Sequence, residues 1–460
     1  MQRTLLFKLL AIFGLTLLIG IALLMIQATI EERSQFRKAA VASIAADSVR
    51  EQTITGPVLV IGYLDEYEEQ TEVGDGLAKR KENVMRSVRR KFLVFPNQLN
   101  IDSAIDTDRR YRGIHQVLVY SGRHKIDGDF ALPVLNDLPR ATPNSRIKLE
   151  RASLVMGVGD VRGIKNIPTV LWNGQAIEFE QGTEMSALET GLHAVLPAMT
   201  LVQGASVSFS MMLGLDGIER QSFVPVGKNN RIAVKSSWPH PQFAGAFLPS
   251  ARERRIDATG FAASWQVSSL SSTAQKQIRE LEEGQAKAPV RGIESFSIGF
   301  IEPVNVYSLA ERAVKYGLLF VALTFAAFFM FEIIKRLPIH PVQYLLVGLA
   351  LAMFFLLLVS LSEHIQFALA YVVASVACIG LIGFYLSYVL GDWRRGAGFG
   401  AALTALYGAL YGLLISENNA LVLGSILLFA VLSAVMVATR KIDWYNLSRA
   451  DDDTGQVVAS

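Results

Sequence analysis

The sequence predicts a multi-pass α-helical membrane protein of six transmembrane helices, with a large, mostly antiparallel β, sandwich-like domain inserted between helices one and two. Three observations carry this. Only 18% of the 460 residues are charged, against roughly 25% in an ordinary globular protein, although the hydrophobic share of 51% is unexceptional. The missing charge is concentrated in six apolar runs. Between the first and second runs, residues 31–315 have the charge density of a water-exposed domain and alternate like short strands between Gly, Pro and Asn turns.

The first run, Leu9–Ile30, has 22 residues without a charge, preceded by Arg3 and Lys8 and followed by Glu31, Glu32 and Arg33. As a helix it spans about 33 Å, enough for a bilayer core. It is longer than the apolar region of a cleaved signal, and Gln27-Ala28-Thr29-Ile30 is a poor cleavage site, so residues 1–30 are expected to be an uncleaved signal anchor, with cleavage as the alternative. Residues 31–50 contain neither Pro nor Gly and repeat apolar residues at helical spacing, which predicts an outward stalk ended by Thr55-Gly56-Pro57.

Strand signals dominate the rest of the inserted domain: VLVIGYL after Pro57, Lys91–Phe95, His115–Tyr120, Val207–Met212, Phe261–Val267 and Ser295–Ile301. Asn173-Gly174 between apolar flanks is a strong hairpin signal. Two stretches read as helical or mobile: charge-rich Asp65–Arg90 and Thr273–Ala286. Two layers or two sandwiches both fit a domain of about 285 residues.

Five further runs, Tyr316–Ile334, Pro341–Leu361, Ile365–Leu390, Gly396–Ile415 and Ala420–Thr439, make a bundle over 316–445, followed by an acidic tail at 446–460. Their short connections require antiparallel neighbours. Lys and Arg occur at Arg3 and Lys8, Lys335 and Arg336, Arg394 and Arg395, and Arg440 and Lys441, whereas the alternate turns at 362–364 and 416–419 have none. The positive-inside rule then predicts cytoplasmic termini and an exported 31–315, periplasmic in a cell with two membranes. Cys378 falls in the fourth run, leaving the exported domain free of thiols. In the fifth run, GAGFG and GALYG put small residues at i,i+4 and predict close helix packing.

A net charge of +3 gives no support to nucleic-acid binding, and one Cys excludes thiolate-rich metal sites. GxSxG, Walker A, HExxH and CxxC motifs are absent, and no two of the six His have i,i+2 to i,i+4 spacing, so neither a cofactor nor a metal is expected. The candidate functional or docking residues are of three kinds. Arg112 and Arg162 stand beside Gly after strands, as anion or partner contacts or as turn-capping cations. Trp238 and His240 lie in an aromatic Pro-containing loop that either meets a partner or membrane surface or packs on the core. Glu363-His364 and Glu417-Asn418 sit at outward helix ends, read as docking points for the exported domain or as solvated turns. Glu332 is expected to pair along its helix with Lys335 and Arg336.

Several segments together resemble the CreD family of bacterial inner-membrane proteins, described by their role in cell envelope integrity: Arg312-Ala313-Val314-Lys315-Tyr316, His340-Pro341-Val342-Gln343-Tyr344, Ser362-Glu363-His364-Ile365 and Thr439-Arg440-Lys441-Ile442-Asp443-Trp444-Tyr445. Asp160-Val161-Arg162-Gly163 and Ser237-Trp238-Pro239-His240-Pro241 extend the resemblance into the inserted domain. Gly62-Tyr63 stands where Pro-Tyr is common, and His115 where an aromatic is usual. The resemblance implies an envelope-stress protein associated with a two-component regulatory system and, in some bacteria, the β-lactam response. It implies no catalytic residues.

The leading expectation is therefore a non-enzymatic protein that contacts the lipid bilayer and envelope or other inner-membrane proteins through its exported domain. The alternative is an envelope enzyme acting on a cell-wall or lipid intermediate at the outer leaflet, with Glu363, His364 and Glu417 near the reacting group. A transporter ranks third, because no acid lies near the midplane of the later helices and no inverted hydropathy repeat is evident.

Overall fold

No glycine or proline interrupts the chain where the first apolar run meets its charged boundary, and the helix continues. In a computed structural model, residues 2–73, 80–112, 115–197, 204–285, 292–300, 306–335, 339–389, 391–416 and 419–440 are described. The helix α1 (Gln2–Asp47) is unbroken through the Ala-rich stretch after Glu31. The hydroxyls of Thr16 and Thr29 donate to Ile12 O and Met25 O within it.

The strands that follow are β1 (Gln52–Val73), β2 (Arg80–Val94), β3 (Gln98–Arg112), β4 (His115–Ala131), β5 (Arg146–Val158), β6 (Thr169–Trp172), β7 (Gln175–Glu178) and β8 (Glu180–Gln181). They continue with β9 (Gly191–Leu196), β10 (Ser206–Ile218), β11 (Arg220–Val224), β12 (Asn229–Ser236), β13 (Pro241–Gly245), β14 (Arg255–Asp257) and β15 (Gly260–Ser268). A short helix, α2 (Ala274–Glu282), precedes β16 (Phe296–Phe300). Five long helices close the chain: α3 (Val306–Lys335), α4 (Pro341–Ser362), α5 (Phe367–Val389), α6 (Trp393–Ile415) and α7 (Ala420–Thr439). Two compact units result, Met1–Ala39 with Val304–Ser460, and Ala40–Pro303.

The second unit is a sandwich of two sheets. One runs β13-β16-β11-β1-β5-β9-β8 with β2 beside β1; the other runs β14-β15-β12-β3-β4-β10-β6-β7. All pairs are antiparallel except β1 with β11 and β3 with β12. The sheets meet through aromatic side chains: Trp265 stacks on Phe296 at 4.8 Å, and Tyr120 lies 5.0 Å from Phe300. Ile278 of α2 and Leu188 of the β8–β9 loop belong to the same buried cluster. At the β6–β7 turn Asn173 and Gly174 both have positive φ, 48° and 83°, as a two-residue hairpin whose twist matches its strands requires.

Two expectations need correction. Asp65–Arg90 contributes to neither a helix nor a loop among the described residues; it forms the β1–β2 ribbon, in register from Leu59 with Val94 to Val73 with Arg80. Gly56-Pro57 does not end a helix. It lies inside β1, where the pairing with β5 shifts register between Thr55 and Val58 and Pro has no ladder hydrogen to donate.

In the first unit, five helices among the described residues are long and apolar enough to cross a bilayer: α1, α3, α4, α5 and α6. α7 is also apolar, over Val422–Ser433. Rings fill the interior: Tyr407 meets Phe320 and Phe354 edge to face at 4.6 and 4.7 Å. The Tyr407 hydroxyl donates to Cys378 Sγ at 3.1 Å, and that thiol donates to Ala350 O at 3.3 Å, which buries the only Cys of the chain.

The helix glycines behave differently from their spacing. Around Gly398, Gly408 and Gly412 a Cβ would meet no described atom within 4 Å, and only Gly396 of α6 lies tightly, against Ser387 and Gly383 of α5. Close approach occurs instead at Gly348, where a Cβ would come within 2.8 Å of Ile19 and Phe325, and at Gly317, against Leu23 and Phe355. These two seat α1.

His124 is fully buried between the sheets, with Nδ1 2.8 Å from Ser103 Oγ and no described partner for Nε2. Burial lowers its pKa to about 4. Between that value and the ordinary one near 6.5 the unfolded chain binds a proton that the folded chain excludes. Stability is therefore fully present above about pH 6.5 and falls by up to about 1.4 kcal/mol per pH unit below it. His124→Leu is expected to remove this slope in thermal unfolding followed by tryptophan fluorescence; an unchanged slope would assign the effect to other groups.

Candidate functional site

α1 carries a cation near each end of its apolar stretch, and each meets a carboxylate and a tyrosine. At one end, Lys8 Nζ lies 2.5 Å from Glu332 Oε1 of α3, and the Tyr344 hydroxyl of α4 donates to Glu332 Oε2 at 2.8 Å. At the other, the Tyr307 hydroxyl of α3 donates to Glu363 Oε1 at 3.1 Å, and Arg33 Nε stands 3.8 Å from the same oxygen. The glutamate side chains are 6% and 10% exposed, whereas Lys8 and Arg33 are nearly half exposed. Each carboxylate thus depends on its partners, while the cation stems reach toward water. The two locks fix α1 parallel to α4 and antiparallel to α3.

Glu332 thus meets Lys8 of α1 and Tyr344 of α4; the side chains of Lys335 and Arg336, its expected partners along its own helix, lie outside the described residues. Lys8, Arg33, Tyr307 and Tyr344 are not among the candidate functional residues that the sequence suggests. The available signal was a basic residue at each border of an apolar run facing an acid at the matching border of another.

A second cluster holds the C-terminal turn of α1. Asp160 follows β5 and accepts from Arg162 N at 3.1 Å, which caps the 3-10 turn Val161–Gly163. Arg162 returns Nη2 to Asp160 at 2.6 Å and donates Nη1 to Ala46 O at 2.7 Å, a carbonyl left unpaired by the end of the helix. Asp160 also accepts from Arg50 N. Fully buried Gln52 donates to Asp160 O and Asp216 O and accepts from Asp160 N, so its whole amide is used. Hydrogen bonding from Arg162, above all, holds the Asp160 carboxyl below the usual carboxylate range. Arg162 thus caps both its own turn and the end of α1.

Trp238 is 8% exposed, its Nε1 donates to His240 O at 3.0 Å, and the Arg109 guanidinium lies 5.9 Å from its ring centre, so this loop packs on the core. His240 and His364 are exposed. Arg112 ends β3 opposite His115, and its side chain lies outside the described residues, as do Glu417, Asn418 and the tail 446–460. Among the described residues no cluster of three His, Cys, Asp or Glu could hold a metal. An open cleft of about 440 Å³ on the β1–β5 sheet, lined by Thr53, Thr55, Glu189, Thr190 and Leu281, joins segments too distant in sequence to be foreseen.

A set of long apolar helices interrupted after the first by a β-sandwich, with ion pairs joining helices across the interruption, defines a multi-pass integral membrane protein. Comparison with known proteins makes this specific. Residues 4–445 match the family described as inner membrane protein CreD. Inner membrane protein CreD of Escherichia coli (strain K12) is 36% identical over 453 residues, covering 97% of this chain and 95% of that protein. The chain belongs to the CreD family of inner membrane proteins. Among solved structures, an M1 zinc metallopeptidase from Deinococcus radiodurans aligns with a TM-score of 0.19 and 8% identity, over 45% of this chain and 42% of that one. A two-domain M1 zinc metallopeptidase bound to L-arginine aligns with the same values. Likeness at that level carries no argument about either fold or chemistry.

Lys8→Met leaves the Glu332 carboxylate without its cation and is expected to cost about 3 kcal/mol, with much of the loss recovered in Lys8→Met/Glu332→Gln. Thermal unfolding of the full chain in nanodiscs measures both. Additive losses would show that the pair is not coupled.

Proposed function

We propose that this protein crosses the inner membrane six times, with both termini in the cytoplasm, and presents residues 31–315 in the periplasm, where they contribute to envelope integrity or envelope-stress response without catalysis. The observation that carries the placement is the pairing of the helix ends. Arg33, Tyr307 and Glu363 share one end of the bundle, whereas Lys8 and Glu332 share the other. With α7 as a sixth crossing, every basic turn falls on the Lys8 side.

The non-enzymatic reading is supported by the commitments of the polar candidates. Glu363 is held by Tyr307 and Arg33, Arg162 by Asp160 and Ala46, and Trp238 by its own loop. The role in the envelope rests on the family and on a sandwich of this size being carried outside the bilayer. Its partners are envelope components or other inner-membrane proteins.

Uptake of a hydrophobic fluorescent dye by cells lacking the protein tests this. The full chain is expected to restore low uptake. A chain with residues 40–303 replaced by a short flexible linker is expected to fail at equal membrane abundance, and restoration by the bundle alone would overturn the proposal. Glu363→Gln/His364→Ala is expected to restore function; its failure at normal abundance would favour the outer-leaflet enzyme instead.

A further inference from the structure

The β1–β2 ribbon outruns the sandwich that supports it. Pairing of β1 with β5 ends at Glu66 opposite Arg146, but β1 and β2 stay paired to Val73 and Arg80. Residues 81–89 of β2 are all exposed, whichever face they point from. A two-stranded ribbon with neither face covered is marginal in water, so its root matters. There, buried Asp65 accepts from Ala141 N at 2.6 Å and pairs with Arg90 at 3.3 Å, and the Tyr63 hydroxyl donates to Pro139 O. The root is therefore fixed, and the outer edge of β2 is free: among the described residues β2 pairs with β1 alone.

The composition of that edge selects what can pair with it. One face alternates Val84, Arg86 and Val88; the other carries Lys81, Met85 and Arg89. The apolar members are substantially exposed, Met85 at 63%. β2 holds Arg80, Lys81, Arg86, Arg89, Arg90 and Lys91 against Glu82 alone, whereas β1 on its paired side is acidic at Glu66, Glu68 and Glu69. Arg86 and Arg89 reach back toward Glu69 and Glu150, but both pairs are exposed and weak. A second β2 would oppose cations with cations. A strand of acidic and apolar alternation would repeat the pairing already made with β1, and an unpaired edge offers its main-chain groups to an extended polypeptide.

We propose that the free edge of β2 over Lys81–Arg89 is a strand-addition site for an extended acidic segment of another protein, with carboxylates meeting Arg86 and Arg89 and apolar residues meeting Val84, Met85 and Val88. This stands on the geometry of the β unit and is independent of whether the protein is an enzyme.

The test uses the full chain in phosphatidylcholine nanodiscs and a fluorescein-labelled decapeptide of alternating Glu and Val, with a Lys and Val decapeptide as control. The acidic peptide is expected to bind and to slow amide exchange within residues 82–88. Lys81→Glu/Arg86→Glu/Arg89→Glu is expected to weaken it about tenfold and to favour the basic peptide. Near-ultraviolet circular dichroism checks the fold of that variant, and the exchange readout in the unaltered chain stands without it. Equal binding of both peptides, binding without slowed exchange in β2, or binding of phosphatidylglycerol vesicles with neither peptide bound would each overturn the proposal.

Discussion

A charge that enters a bilayer must be matched there, and the bundle is arranged around two such matches. α1 contributes Lys8 and Arg33, and α3 and α4 contribute Glu332 and Glu363, each held also by a tyrosine from the third helix. An unmatched acid at either position costs several kcal/mol in a low-dielectric setting. Rotation of α1 about its axis would therefore abandon both contacts. Gly317 and Gly348 reinforce the choice, because their bare backbones admit Leu23 and Ile19 where any side chain would hold α1 away. The first helix, separated in sequence from the rest by the whole β unit, is thereby built into the same bundle.

The β unit solves a different problem, since its strands must satisfy both water and a core. Its two sheets bury one face against each other through Trp265, Phe296, Phe223 and Phe130. The β1–β5 sheet gains further cover from α2 and the β8–β9 loop, so β1 is buried on both faces near Val58 and Leu59. Polar groups drawn inside are tied to backbone: Gln52 joins the turn after β5 to β10, and Asp160 with Arg162 closes the last turn of α1. Where cover runs out, along the distal ribbon, charge replaces it.

Much of this was legible in the sequence wherever burial leaves a periodic trace. Pro341, a helix-starting residue at the border of an apolar run, begins α4, and Ile415 ends α6, as their runs indicated. Asn173-Gly174 announced its hairpin because only residues tolerant of positive φ fit that turn. Asp65–Arg90 was misread because strand periodicity is a record of one buried face, and most of this ribbon has none. The continuation of α1 past Ile30 was suggested by the absence of breakers. Lys8 and Glu332 are 324 positions apart, and no local pattern joins them. Nor did the i,i+4 glycines of α6 reveal which face meets a neighbour; spacing states that small residues share a face, not that another helix lies against it.

The account rests on the placement of α1 antiparallel to α3 and parallel to α4 by two separate ion pairs. In a Cys378→Ser background, Lys8→Cys/Glu332→Cys and Arg33→Cys/Glu363→Cys, treated in native membranes with a bismaleimide that spans only neighbouring helices, measure it directly. Both pairs should join within one chain, and the exchanged pair Lys8→Cys/Glu363→Cys should not. Joining of the exchanged pair, or of neither intended pair, would contradict the arrangement.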